Sequence, residues 1–358
     1  MRSTLTRRAF VALLPAASLV GAEQSASSEI RRYVDPATEF QVLRLTNPSH
    51  SSWLPSPGHT AVPRRSNTLL YASDRSGSLQ AWRMDFHSGQ SHRLTDAEAL
   101  DRTSLTIAPD QRSFCFVDGR NVAIRPLDNG RARVIYRVPD THEAEGAFSI
   151  SGDGSFCTLA EKAGDTRRLR LIQLAGNTAQ TLFESNASID AVLPCPDAPQ
   201  LLYRSGGALW VAPLSGGSGV KVPTIAGPLG PAYWTRNGAG ILYLSLSDAQ
   251  PGAIRQINPN TGRDELVVPT TRFVTFAPNQ DDTVFIGASG SIISPYLFIS
   301  LRSVRRELTL CEHRAHDPAH SDPLFSPDSQ RAFFTSDGEG KSAIYAMNLE
   351  RLLEKTED

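Results

Sequence analysis

The sequence has no excess of either charge, no paired-cysteine motif and no apolar run long enough to span a bilayer comfortably. Lys and Arg total 36 against 37 Asp and Glu, a formal net charge of −1. That balance argues against a nucleic-acid-binding protein and against a strongly basic membrane-surface protein. It does not exclude an anionic substrate, because a small basic pocket leaves no trace in the total. None of the four cysteines forms a Cys-x-x-Cys pair, so zinc and redox motifs are missing. Cys115 in Ser-Phe-Cys-Phe and Cys157 in Ser-Phe-Cys-Thr fall at matching points of two repeats, which predicts small core residues rather than a disulfide. Gly-rich phosphate loops, Gly-x-Ser-x-Gly and His-Glu-x-x-His are also missing, which leaves serine hydrolase and zinc protease readings without their local signal. Helical periodicity is confined to the N-terminal apolar segment and to 349–355, so the chain reads as all-β.

What is present begins with ordinary globular composition, 40% hydrophobic and 20% charged over 358 residues, enough for a sizeable core. Thr6-Arg7-Arg8-Ala9-Phe10 precedes an apolar run over 11–20 and then Gly21-Ala22. A positive start, a short apolar segment and small residues at its end predict a signal peptide over 1–22, with the Arg pair similar to a twin-arginine signal. The expected location is therefore periplasmic or secreted, with no membrane span after signal removal. Residues 23–38 form an N-terminal segment, and 39–358 a single domain.

That domain is repetitive. A short turn signature recurs between strand-like runs, from Val62-Pro63-Arg64 and Ala108-Pro109-Asp110 to Ala277-Pro278-Asn279 and Ser326-Pro327-Asp328. Successive copies lie about 40 to 49 residues apart, the period of a four-stranded propeller blade. Ser326-Pro327-Asp328 is a type I turn signal, Arg331 to Thr335 a strand rich in aromatics, and Ala343 to Met347 the next strand. Seven copies predict a seven-bladed β-propeller. The last blade is one strand short, and the alternating stretch 41–46 predicts an N-terminal strand at its outer edge, closing the ring.

Ser-Pro-Asp turns followed by Phe-Thr-Ser-Asp look like blades of the TolB-like propellers. Arg31-Arg32-Tyr33-Val34-Asp35-Pro36 with Val42-Leu43-Arg44-Leu45-Thr46, and Leu310-Cys311-Glu312-His313 with Pro323-Leu324-Phe325-Ser326-Pro327, make a narrower match. These segments resemble the two ends of oligogalacturonate lyases, which cleave short pectin fragments by β-elimination. The resemblance implies a uronic-acid oligosaccharide as substrate and a divalent metal, manganese, as cofactor. In that family a metal and an Arg neutralise the substrate carboxylate while a histidine removes the proton beside it.

Carried over position by position, the family's terminal metal motif Gln-x-x-His-x-His-Pro falls on Asp317-Pro318-Ala319-His320-Ser321-Asp322-Pro323. His320, Asp317 and Asp322 are the metal ligands this implies, and carboxylates suit manganese. A further metal histidine is replaced at Pro231, and the base histidine is missing near Asp190-Ala191-Val192. Arg170 matches the catalytic arginine, with His142 as a substitute base. His313, His316 and His320 place three of the eight histidines within one loop, read either as a metal or substrate cluster or as solvated polar residues. His50, Trp234 and His316 are candidate substrate contacts, the aromatic ring for stacking on sugar. The alternative to a lyase is a non-catalytic propeller that binds a glycan or a protein partner.

Overall fold

A computed structural model describes residues 25–176, 178–246 and 252–353. The expected signal over 1–22 lies outside the described residues. Seven antiparallel sheets of four or five strands follow one another along the chain. They are the blades of a propeller, numbered here from the blade that begins at Ser52–Trp53. No helix among the described residues is long and apolar enough to cross a membrane.

The turn signature works through local side-chain chemistry. Asp110 Oδ1 accepts from the backbone N–H of Arg112 at 2.9 Å and of Ser113 at 3.0 Å, and Gln111 follows at φ 61°. Asp328 likewise accepts from Gln330 N–H at 3.0 Å, with Ser329 at φ 60°. In both copies a turn followed by one left-handed residue joins the inner strand to the next, and the Asp side chain holds it. Blades pack face to face through apolar clusters. Tyr71, Phe114, Phe276, Phe285 and Phe333 are among the fully buried side chains. All four cysteines are buried and free, as core residues.

The ring closes in blade 7. Strands Leu324–Phe325, Arg331–Ser336 and Ala343–Asn348 come from the C-terminal region, and Gln41–Arg44 pairs onto Ala343–Asn348 through Leu43 with Ala346 and Arg44 with Tyr345. The closing strand is therefore where the sequence places it, but it is not outermost. Arg31–Val34 adds a fifth strand beyond it, and Ser25–Ala26 pairs on the outer edge of blade 1. The segment 23–38 thus contributes to two blades rather than merely preceding the ring. Asp35, 1% exposed, turns the chain between the two closing strands and accepts from Glu312 N–H of blade 6 at 3.1 Å.

Candidate functional site

In an antiparallel blade every inner strand runs the same way, so all loops entering the inner strands open on one face of the ring. That face carries His50, His142 and the whole 313–322 loop. At its centre lies a cavity of about 720 Å³, lined by innermost segments of successive blades. A smaller pocket of about 140 Å³ sits beside it, between Trp53, Arg102, Asp317 and His320. The short 3-10 helix Pro318–His320 divides them, with Ala319 on the cavity side and His320 on the pocket side.

Local irregularity aims side chains at this mouth. The inner strands of blades 2, 4, 5 and 6 each change register where they enter the ring, as between Asp190 and Leu193 and between Leu229 and Ala232. Bulges of this kind redirect a strand's side chains and recur near functional sites. Ala147, Ala191 and Asp322 take left-handed backbone at the mouth, at φ 51°, 47° and 42°.

The charged groups of the cavity are mostly engaged. Arg204 pairs across the sheet with Asp190 and donates to Leu229 O at 3.1 Å and to Gly230 O. Burial lowers its pKa, opposed by the Asp190 charge. Glu145 receives Arg167 at 2.8 Å and Lys162 at 3.8 Å. His59 bridges two blades, its Nδ1 3.0 Å from Leu105 O and its Nε2 2.9 Å from Phe148 O. Burial holds the His59 pKa below that of an ordinary histidine.

The rim holds a carboxylate–imidazole pair. Asp317 caps the 3-10 helix by accepting from Ala319 N–H at 3.1 Å, and its other oxygen lies 2.8 Å from His320 Nδ1. That contact places the proton on Nδ1 and leaves Nε2, on an exposed ring, able to accept. Asp322 is half-buried, and burial pushes its carboxyl up to about 6 against the pull of the Arg102 and His320 charges. The Arg102 guanidinium lies 5.2 Å above the Trp53 ring, a cation–π contact that orders it over the pocket.

The sequence-derived candidates separate into three groups. Asp317, His320 and Asp322 come together at the rim, but among the described residues no three His, Cys, Asp or Glu side chains converge to hold a metal ion. His320 Nδ1 faces Asp317, and His316 pairs with Asp337 at 3.1 Å on an exposed loop. His313 belongs to the core. It is 3% exposed, places Nε2 2.9 Å from Ser289 O and accepts Ala315 N–H on Nδ1 at 3.1 Å.

The others lie apart. His142 lines a separate outer depression with Arg120 and Asp140, its Nδ1 2.9 Å from Thr141 Oγ1. Arg170 occupies the seam between blades 2 and 3, donating to Thr181 Oγ1 at 2.5 Å and Ala179 O at 3.0 Å over the Tyr136 ring. His50 is half-buried in the loop before blade 1. Trp234, at 7% exposed, is packed between blades 4 and 5 and donates Nε1–H to Leu193 O at 2.9 Å, so the expected sugar-stacking face is covered by core. Arg102, Arg204 and His59 were not singled out by the sequence. Arg102 sits near the start of the inner strand Leu100–Ile107, whereas Arg204 lies near the end of the second strand of blade 4 and comes to the mouth only through its register with Asp190.

No family model matches the chain. It is 21% identical to an oligogalacturonide lyase of Pectobacterium atrosepticum over 373 aligned positions, covering 87% of this chain and 94% of that protein. It is also 21% identical to an oligogalacturonate lyase of Dickeya dadantii, covering 89% and 96%. Among solved structures, an oligogalacturonate lyase in complex with manganese superposes with a TM-score of 0.84 at 19% identity, over 91% of this chain and 97% of that one. An oligogalacturonate lyase from Vibrio parahaemolyticus gives 0.83 at 20% identity, over 91% and 98%. The chain is a distant homologue of these lyases over nearly its full length, and the superpositions bear out the seven-bladed fold.

Proposed function

We propose that this protein cleaves a uronic-acid oligosaccharide by β-elimination on the ring face where its central cavity opens, in the rim pocket formed by Trp53, Arg102, Asp317 and His320. The observation that carries this reading is the near-full-length relatedness to two lyases, joined to an Asp317–His320 pair on the ring face. The difficult step is removal of the weakly acidic proton on the sugar carbon beside the carboxyl group. His320 Nε2 takes that proton, and Asp317 stabilises the imidazolium that forms. The electron pair becomes a carbon–carbon double bond as the bond to the neighbouring glycosidic oxygen breaks. Arg102 faces the negative charge that develops on the carboxyl group, and Trp53 holds the guanidinium in place. Asp317, His320 and Asp322 are the donors nearest to a metal-binding arrangement, but their geometry does not supply a converging set, so no step is assigned to a metal. Export to the periplasm or the medium belongs to the same reading and rests on Arg7-Arg8 and the apolar run after them.

The test is incubation of purified protein with a panel of uronate oligomers while absorbance of the unsaturated product is followed. Product formation that disappears in His320→Gln supports the assignment. A second reading, a propeller that binds the glycan without cleaving it, is favoured by Ala191, Val192 and Pro231, apolar residues where the resemblance expects histidines. Calorimetric binding of the same oligomers with no new product ends would establish that reading instead.

A further inference from the structure

We infer that Asp337 is a positioning residue of this site, holding the loop segment 316–321 so that the Asp317–His320 pair faces the rim pocket. The inference rests on the β-elimination reading above for what the pair does, but not for where it sits. Asp337 belongs to the turn that follows strand Arg331–Ser336 of blade 7, and it lines the rim pocket together with Trp53, Arg102, Asp317 and His320.

The segment has little of its own to fix it. It carries one 3-10 turn, none of whose residues is buried, and short turns of this kind are weak in isolation. The His320 side chain is 73% exposed, so packing does not hold it and its placement comes from the turn. The segment is pinned at both ends, and both pins come from the end of one strand. At the far end Thr335 donates its N–H to Ser321 O at 2.7 Å. At the near end Asp337 Oδ1 accepts the His316 N–H at 2.8 Å and lies 3.1 Å from His316 Nδ1. The far pin is backbone on backbone, whereas the near pin depends on one carboxylate. Asp317 follows directly after it, capping the 3-10 turn at Ala319 N–H and meeting His320 Nδ1 at 2.8 Å. A shift of the His316 backbone therefore moves the cap, and with it the imidazole.

The turn that presents Asp337 is itself braced. Gly338 donates its N–H to Ser336 Oγ at 3.2 Å, Gly340 to Asp337 O at 3.1 Å and Lys341 to Pro48 O at 2.9 Å. Gly338 lies so close to the site loop that a Cβ there would come 2.2 Å from Arg314 O. Upstream, His313 is fixed to blade 6, its Nε2 2.9 Å from Ser289 O and its N–H donated to Pro295 O at 3.0 Å. The loop thus leaves a core histidine, passes over Gly338 and is caught by Asp337 just before the reacting pair. Such placement matters to rate, because a misplacement of about 1 Å can cost about a hundredfold.

The experiment compares wild type with Asp337→Ala and Asp337→Asn in the full chain. Turnover of a uronate oligomer is followed by absorbance of the unsaturated product. The His320 ring is followed by heteronuclear NMR of histidine-labelled protein, its signal identified by its loss in His320→Gln. Asp337→Asn keeps an oxygen for the His316 N–H and removes only the charge. For Asp337→Ala the expected result is kcat at least about tenfold lower with KM within about twofold. Its Tm should stay within about 3 °C of wild type, and the single Nδ1–H tautomer of His320 should be lost. Asp337→Asn should recover most of kcat and the tautomer. Equal loss in both variants overturns the inference, since charge rather than placement would then be at work. Unchanged kcat and tautomer in Asp337→Ala overturn it as well. A wild type that forms no product from any uronate oligomer removes the elimination reading alone. The tautomer then decides on Asp337: its loss in Asp337→Ala alone upholds the positioning role, and its retention there overturns it.

Discussion

Asp35 is the place where one side chain ties the closed ring together, and its removal can be worked through. Its Oδ1 accepts from Ala37 N–H at 3.1 Å and Thr38 N–H at 3.0 Å, and its Oδ2 from Glu312 N–H at 3.1 Å. The first two bonds shape the turn between the closing strands Arg31–Val34 and Gln41–Arg44. The third reaches the outer strand of blade 6, which Thr38 Oγ1 also meets at Leu310 O, 2.7 Å away. Asp35→Ala removes these three backbone bonds, together with a Thr38 Oγ1 contact at 3.1 Å, and leaves a Glu312 N–H without its partner. At about 1 kcal/mol net for each bond, the loss is about 3 kcal/mol. For a domain of this size that lowers Tm by roughly 6 °C. Thermal unfolding followed by circular dichroism measures it. Asp35→Asn is the informative control, because its single carbonyl oxygen keeps the turn while its amide turns a donor toward Glu312 N–H. It should recover less than half of the loss. A melting point for Asp35→Ala within about 1 °C of wild type would refute the reasoning, since the clamp would then contribute less than a single ordinary hydrogen bond.

Three further outcomes follow from the same contacts. Asp317→Asn should keep the fold and the helix cap but lower turnover by about a hundredfold, since the imidazolium loses its counter-charge; kcat should fall with KM little changed. For His59 the sign is fixed by its lowered pKa: the folded protein resists the proton that the unfolded chain accepts, so its contribution is complete above about pH 6.5 and declines below it. Urea midpoints at pH 7.5 and 5 should therefore fall further apart in wild type than in His59→Gln, by at most about 1.4 kcal/mol per pH unit. Gly287→Ala would bring a Cβ to 2.1 Å from the Phe273 ring, which is 1% exposed and cannot retreat, so it should lose about 3 kcal/mol in denaturant unfolding.

The fold was legible because its signal is local and repeated. At five of the seven copies the turn acts through an Asp or Asn side chain and a left-handed residue within four positions, so one copy is weak and the repeat is decisive. The outermost strand of blade 7 was not legible. Arg31–Val34 is exposed at three of its four positions and has no apolar alternation to announce it. At the site the same limit acts on individual residues. His313 and His320 share a loop and a residue type, yet one satisfies Ser289 and Ala315 inside the core while the other projects from a 3-10 turn. Trp234 faces inward because Leu193 O of the neighbouring blade accepts its N–H, a contact between residues 41 apart in the chain. Arg102 and Arg204 gain their meaning only from the register of the inner strands, which bulges fix and spacing does not reveal.

These bulges also explain how the chemistry at the mouth can change while the ring does not. Stability resides in the apolar clusters between blades and in the closing strands, where Phe276, Phe285 and Phe333 are sealed from solvent. Positions such as Ala191, Pro231 and Ala232 lie at the irregular ends of inner strands, where the ladder is already interrupted. A substitution there alters the lining of the cavity and leaves the blade-to-blade packing intact. A TM-score of 0.84 with only 19% identity fits that division.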